Sequence, residues 1–261
     1  MKSFFPFLLL VCVFFTSCYQ DIEECLDPLS KNYELSADVA CKACCLYPDL
    51  SIGITHAYGS ENYSLNKMYV DAVGDTFTIA DQAYFFSEIK FNDAQAQLLE
   101  NLTFKQFTIG GAIKSFPTNY CLLRSTPIEC IAGSAKFAGQ LTSLQFLVGL
   151  RDDLTKLDSI SVATDKNLSR REILYSSNEY KTAYFNIKTT DGMVKTVYIT
   201  EDIPISLTTN NPPINKPGTT IQYKIKLDYA VLFQGIAFKN EGIESITSKI
   251  TANFKNALSN L

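Results

Sequence analysis

The sequence predicts a mainly β protein: an antiparallel β-sandwich with a C-terminal amphipathic helix and a small cysteine-rich N-terminal segment. Three observations carry this reading. Apolar and polar residues alternate with a period of two in short runs bounded by turn residues. Asp191-Gly192 joins two such runs, which is a hairpin signature. Apolar spacings of three and four residues are sustained only near the C-terminus, over 242–261.

Each element follows from its residues. Leu50–His56 alternates apolar with small or polar residues and reads as a strand, closed by the turn at Tyr58-Gly59-Ser60-Glu61-Asn62. Thr76–Ile79 alternates again, and Tyr84–Phe91 is aromatic-rich with Ile89 and Phe91 on one face, so both read as strands. Asn92–Leu99 is compatible with one short helical turn. Leu144–Leu150 is a third strong strand. Tyr180–Lys188 and Met193–Ile199 flank Thr189-Thr190-Asp191-Gly192 and form the predicted hairpin. The Pro- and Asn-rich stretch 210–218 is a loop, because strong strands stand on both sides of it. Ile221–Tyr229 alternates over nine residues and must bury one face. Ile243, Ile246, Ile250, Phe254, Leu258 and Leu261 line one face of the terminal helix. Its polar face carries only Lys249 and Lys255, which favours docking on the sheet over binding a membrane.

Composition narrows the function. The chain of 261 residues has a formal charge of −4 and no basic cluster, which argues against a nucleic-acid partner. Residues 1–17 read as a secretory signal: Lys2, an apolar run over 4–15, then Thr16-Ser17. Small residues followed by Cys18 resemble a bacterial lipobox, which makes Cys18 the lipidated first residue of the mature chain and the lipid its membrane contact. Without residues 1–17 the chain keeps 22 basic against 27 acidic residues, since Lys2 is the only charge removed. The acidic stretch Asp21-Ile22-Glu23-Glu24 resembles the surface-export signal of Bacteroidetes lipoproteins, which implies an outer-membrane lipoprotein facing the periplasm or the cell surface. The organisation expected is a signal over 1–17, a lipidated tether and cysteine module over 18–49, and a β domain over 50–261.

Past Cys18 the chain holds six cysteines: Cys25, Cys41, Cys44, Cys45, Cys121 and Cys130. An even set in an exported protein implies disulfides, with four in the first stretch and Cys121 with Cys130 as a separate pair. The segment 25–48 has few core-forming residues and is held by its cysteines. Zinc at Cys41-x-x-Cys44 is a second reading, short of the four ligands such sites use. Calcium through Asp27 and Asp38 is a weaker third.

Several blocks then resemble one family in order and spacing. These are His56-Ala-Tyr-Gly59, Asp71-Ala-Val-Gly74-Asp-Thr-Phe77-Thr-Ile79, Ala83–Phe91, Leu144–Leu154, and the closing Leu227–Ile236 with the helix after it. Together they resemble the MbnP-like domain over roughly residues 50–258, a family named for a methanobactin-associated periplasmic protein that binds copper. The resemblance implies a copper site built around a histidine and an oxidised tryptophan. His56 stands at the family's early histidine, whereas this chain has no Trp, and Leu174–Tyr180 replaces the Trp-rich motif. Copper is thus the cofactor the resemblance implies, with His56 as ligand and Met68 as a thioether partner; Met193 is free of obvious duties. The competing reading of His56 is a half-buried histidine at a strand end, hydrogen-bonded to a backbone carbonyl. No Gly-x-Ser-x-Gly elbow, P-loop or dinucleotide fingerprint occurs, so an enzyme is not expected. The alternative is a surface binding or accessory protein for a glycan, peptide or outer-membrane partner. A planar cluster of exposed tyrosines favours glycan, and a His-Met pocket favours copper.

Overall fold

The computed structural model describes residues 20–125, 128–157, 161–169, 175–176 and 179–261. The signal segment 1–17, Cys18, and Leu174, Ser177 and Asn178 of the Leu174–Tyr180 stretch lie outside the described residues. The chain order is β1 (Glu23–Glu24), β2 (Val39–Ala40), β3 (Asp49–Tyr58), β4 (Glu61–Asn62), β5 (Met68–Val70) and β6 (Thr76–Asp93). There follow β7 (Phe104–Ile109), β8 (Ala112–Pro117), β9 (Cys121–Leu123), β10 (Glu129–Ser134), β11 (Gly139–Val148) and α1 (Asp152–Thr155). Next come β12 (Tyr175–Ser176), β13 (Glu179–Tyr180), β14 (Ala183–Thr189), β15 (Val194–Ile199), β16 (Ile203–Thr208) and β17 (Ile214–Asn215). The chain closes with β18 (Ile221–Asp228), α2 (Tyr229–Leu232), α3 (Ile243–Ala257) and β19 (Leu258–Asn260).

Two sheets face each other. The larger runs β15-β14-β6-β11-β16, with β5, β9 and β17 added at its margins; the smaller runs β10-β3-β18-β19, with β4 on β3. Pairing in both is antiparallel except for β3 with β18, which run parallel over Leu50–Ala57 against Ile221–Asp228. Between the sheets lies the main core: Leu50, Ile52 and Ile54 from β3, Ile225 and Leu227 from β18, Phe77, Ile79 and Phe86 from β6, and Ile246, Ile250 and Phe254 from α3. Burying each such side chain contributes about 1.5–3 kcal/mol.

The two strands expected at 76–79 and 84–91 are one strand, β6, bent by bulges. Asn186 pairs with Asp81 and Ile187 with Ile79, which leaves Ala80 as an extra residue. Between the pairs Gln145–Lys90 and Leu147–Ser87 a second extra residue is inserted, and Glu88 there takes φ 52°. The bulges let β6 put residues from both of its faces to use. Its outer face carries Ala83 and Phe85 into a second core with Phe107, Phe116, Leu154 and Leu168, roofed by the β7–β8 hairpin and the α1 region.

Two local expectations are corrected. Asn92–Leu99 forms no helix: Asp93 Oδ1 accepts from the amides of Gln95 and Gln97 at 2.9 and 2.8 Å, and Ala96 takes φ 61°, outside the helical region. The terminal helix ends at Ala257; Leu258–Asn260 leaves it to pair with β18, and Ile243 and Leu261 are exposed. Otherwise α3 docks on the sheet as expected. The loop 210–218 contains the short β17, which pairs with β11.

The disulfides are Cys25–Cys45, Cys41–Cys44 and Cys121–Cys130. Cys121 lies on β9 of the larger sheet and Cys130 on β10 of the smaller, so this bond staples the sandwich. Closing so short a loop contributes about 3 kcal/mol through the unfolded chain.

Two substitutions on α3 separate the buried positions from the merely periodic ones. Phe254→Ala, at a fully buried residue, should cost about 3–5 kcal/mol in denaturant unfolding. Ile243→Ala, at a residue 49% exposed, should change stability by no more than about 0.5 kcal/mol. Equal losses would mean that the helix is seated differently.

Candidate functional site

His56, the chain's single histidine, continues the inward row of β3 after Leu50, Ile52 and Ile54. At that end of the sandwich the core turns polar and aromatic. The parallel register sets His56 beside Leu227, so the residue following β18, Tyr229, arrives next to the imidazole. Asp228 fixes that arrival: its Oδ1 accepts from Gly59 N at 2.8 Å and from Ala230 N at 3.0 Å, capping α2 and the turn after β3 together. Gly59 takes φ 62° in that turn, where a residue without Cβ is unstrained.

The imidazole is held from one side. His56 Nδ1 and Tyr229 Oη are 3.0 Å apart. Gln82 Nε2 donates a short hydrogen bond to Tyr229 Oη, and Tyr63 Oη donates to Gln82 Oε1 at 3.1 Å. The bulge at Ala80 is what turns Gln82 inward, where it is fully buried. The neighbouring Asp81 then faces outward and meets Arg124 at 2.8 Å and the hydroxyl of Tyr184. Stacked rings complete the surroundings: Tyr63 on Tyr229 at 3.9 Å, and Tyr69 on Tyr58 at 4.0 Å.

His56 Nε2 is buried and has no hydrogen-bond partner. Burial lowers the imidazole pKa from 6.5 to about 4, so the ring is neutral at neutral pH. Burial also pushes the Tyr229, Tyr84 and Tyr63 phenols well above their usual range, so all three stay protonated. Two tautomers fit the contact between His56 and Tyr229. In one, Tyr229 donates to Nδ1 and Nε2 carries the proton. In the other, Nδ1–H donates to Tyr229 and Nε2 holds a free lone pair, which is the form that ligates metals. His56 also lines a cavity of about 480 Å³ with Thr55, Asn62, Tyr63, Ser64 and Ser125.

The expected partners divide. His56 is half-buried at a strand end, bonded to a phenol rather than to a backbone carbonyl. Met68 is 67% exposed on β5; its neighbour Tyr69 is the residue that turns inward onto Tyr58 and Tyr63, which leaves Met68 on the opposite strand face. Met193 is exposed in the β14–β15 turn. The clustered tyrosines face the core rather than forming an exposed plane. Cys41, Cys44 and Cys45 are the one group of three metal-ligating side chains among the described residues, their sulfurs within 4.8 Å of one another, and they are tied into two disulfides. Asp27 is engaged by Lys136 and Tyr47, and Asp38 accepts from Ile22 N. Tyr229, Tyr63 and Gln82 were not legible as site residues; the one local hint was an Asp placed to cap at the end of a cleanly alternating strand.

No family model matches the chain, and no curated protein matches it. Among solved structures it is similar to MbnP from Methylosinus trichosporium, at 12% sequence identity over 71% of this chain and 77% of that chain, with a TM-score of 0.44. At that identity no residue role passes from one chain to the other, and the site rests on its own geometry.

The lowered pKa makes stability pH-dependent with a definite sign. Between pH 6.5 and about 4 the unfolded chain protonates its histidine while the folded chain does not. The neutral imidazole's contribution is therefore complete above pH 6.5 and is lost as pH falls toward 4, by at most about 3 kcal/mol before solvent screening. Urea unfolding at pH 7 and pH 4.5 should show a smaller drop for His56→Gln than for the native protein. Parallel drops would mean that the imidazole titrates as it does in water.

Proposed function

We propose that the protein is an exported binding protein, tethered to a membrane by a lipid on Cys18, that takes a borderline metal ion at His56. The observation that carries the metal reading is the buried, unpartnered Nε2 of a neutral imidazole beside a cavity. A proton does not compete for that nitrogen above about pH 5, and Tyr229 supplies the outer hydrogen bond that orients a ligating histidine. The other cavity-lining donors are oxygens and an amide, those of Thr55, Asn62, Ser64, Ser125 and Tyr63. One imidazole with oxygen donors suits Cu(II) better than Cu(I), which asks for thioether or thiolate sulfur. Binding requires the cavity wall to open slightly, since Nε2 is closed to solvent.

Export is supported by three disulfides among the described cysteines, which persist in an oxidising compartment. No helix among the described residues is long and apolar enough to cross a membrane. The lipid tether and outer-membrane placement rest on the sequence at Thr16-Ser17-Cys18 and the acidic stretch after it. The protein binds rather than catalyses, and nucleic acid is not among its partners. A second reading is favoured by the cavity itself, whose volume falls in the range of small-molecule sites: a small organic ligand, such as a glycan or peptide end, seated against Tyr63.

Titrating Cu(II) and Cu(I) into the mature protein under a competing chelator tests the reading. One equivalent of Cu(II) should bind, and His56→Ala should abolish it. Tyr229→Phe should weaken it about tenfold by removing the orienting hydrogen bond. Met68→Ala should leave it unchanged. Absence of binding, or binding indifferent to His56, removes the metal reading and leaves the cavity to an organic ligand.

A further inference from the structure

The three disulfides differ in exposure and in what they close. Cys121 and Cys130 are 4% and 1% exposed, and Cys25 is fully buried. Cys41 and Cys44 are both half-buried, so theirs is the one disulfide here with two approachable sulfurs. Their bond spans a sequence separation of 3, against 20 for Cys25–Cys45 and 9 for Cys121–Cys130. A short loop gives the least stabilisation through the unfolded chain, so opening it costs the fold least. The backbone around the pair is pinned independently of it. Cys41 N donates to Glu24 O at 3.0 Å, and Asn32 holds both Cys44 O and Leu46 N at 2.8 Å. Cys45, the third sulfur of the cluster, stays bonded to Cys25.

We propose that Cys41 and Cys44 form a redox-gated dithiolate site for a soft monovalent cation, separate from His56. A dithiol reductant attacks this half-buried disulfide: its thiolate forms a mixed disulfide and releases one cysteine thiolate, and its second thiol then displaces the other. The cysteine disulfide gains two electrons and two protons, and the reductant closes to its own disulfide. The cation then replaces the two thiol protons, leaving a bis-thiolate complex. Thiolate sulfur selects soft ions such as Cu(I). Zinc is disfavoured, because a structural zinc site takes four ligands, while this cluster offers two free sulfurs and a third held in a disulfide. The cluster thus supplies the soft donors that the His56 cavity lacks.

The test uses the mature protein carrying His56→Ala, so that its outcome does not depend on the first site. Limiting dithiothreitol followed by iodoacetamide and peptide mapping should label Cys41 and Cys44 at least about tenfold ahead of the other four cysteines, in keeping with access-controlled exchange. The reduced protein should then take up one equivalent of Cu(I) against bicinchoninate, which the oxidised protein and the Cys41→Ser/Cys44→Ser double variant do not. The double variant should keep Cys25–Cys45 and Cys121–Cys130 unlabelled, which establishes that it is folded. A single Cys44→Ser variant, retaining one thiol, should also fail to hold the ion against the chelator. Earlier labelling of Cys25, Cys45, Cys121 or Cys130, no uptake after reduction, or uptake that persists in the double variant would each overturn the proposal.

Discussion

The candidate site depends on one non-local pairing, the parallel ladder between β3 and β18. Eight residue pairs, from Leu50 with Ile221 to Ala57 with Asp228, fix the register. A slip by one residue would turn Leu50, Ile52 and Ile54 out of the core, so hydrophobic burial sets the register without reference to the site. Yet that register decides where Tyr229 lies relative to His56, 173 positions apart in sequence. Asp228 then converts a strand end into a helix start and ties it to Gly59, so the ring meets the imidazole from a backbone held at both elements. The energy that orders the site is the energy of the core.

The second constraint is polar. Gln82, buried in the face of a large sheet, would cost several kcal/mol if its amide were left without partners. Both of its ends are satisfied, by Tyr229 and Tyr63, and those two rings stack on each other at 3.9 Å. Of the four linked side chains, His56, Tyr229, Gln82 and Tyr63, the imidazole alone has a buried side-chain atom without a partner, Nε2. Elsewhere the same strand spends polar residues on structure alone: Asp81, on the other face, is taken up by Arg124 and Tyr184. Burial raises the Asp81 pKa, but those hydrogen bonds outweigh it and hold the carboxyl below its usual range. The outward carboxylate of Asp81 and the inward amide of Gln82 both follow from the single extra residue at Ala80.

Local patterns were legible, and long-range geometry was not. The alternation of Ile221–Asp228, the Asp-Gly hairpin and the Ile246–Ile250–Phe254 stripe each depend on neighbours in sequence, and each appears as expected. Leu258 shows the limit of periodicity: it fits the helical spacing, but its backbone pairs with Leu227 instead. The bulges of β6 left no trace in composition, so Gln82, which they reorient, fell between two strands read separately. The β7–β8 hairpin, with Phe107 and Phe116 roofing a second core, escaped notice because its alternation is interrupted by exposed Phe104 and Ile113. His56 stood out because it is the chain's only imidazole. Met68 was misleading for a reason of period two: whichever side chain of the pair Met68-Tyr69 turns inward excludes the other, and the aromatic side chain has the larger apolar surface to bury.

Stability and reactivity are divided between the cysteine pairs. Cys121–Cys130 joins strands of opposing sheets inside the core, so it restrains the chain where the layers must stay in register. Cys25–Cys45 closes the N-terminal segment, with Cys25 buried and Asp27 beside it anchored to Lys136 of the β domain. Once these two bonds, the β1–β2 pairing and the Asn32 hydrogen bonds are in place, Cys41–Cys44 restrains little that is not already held. A bond that is less buried than the other two and structurally redundant is the one whose chemistry the fold leaves free to change.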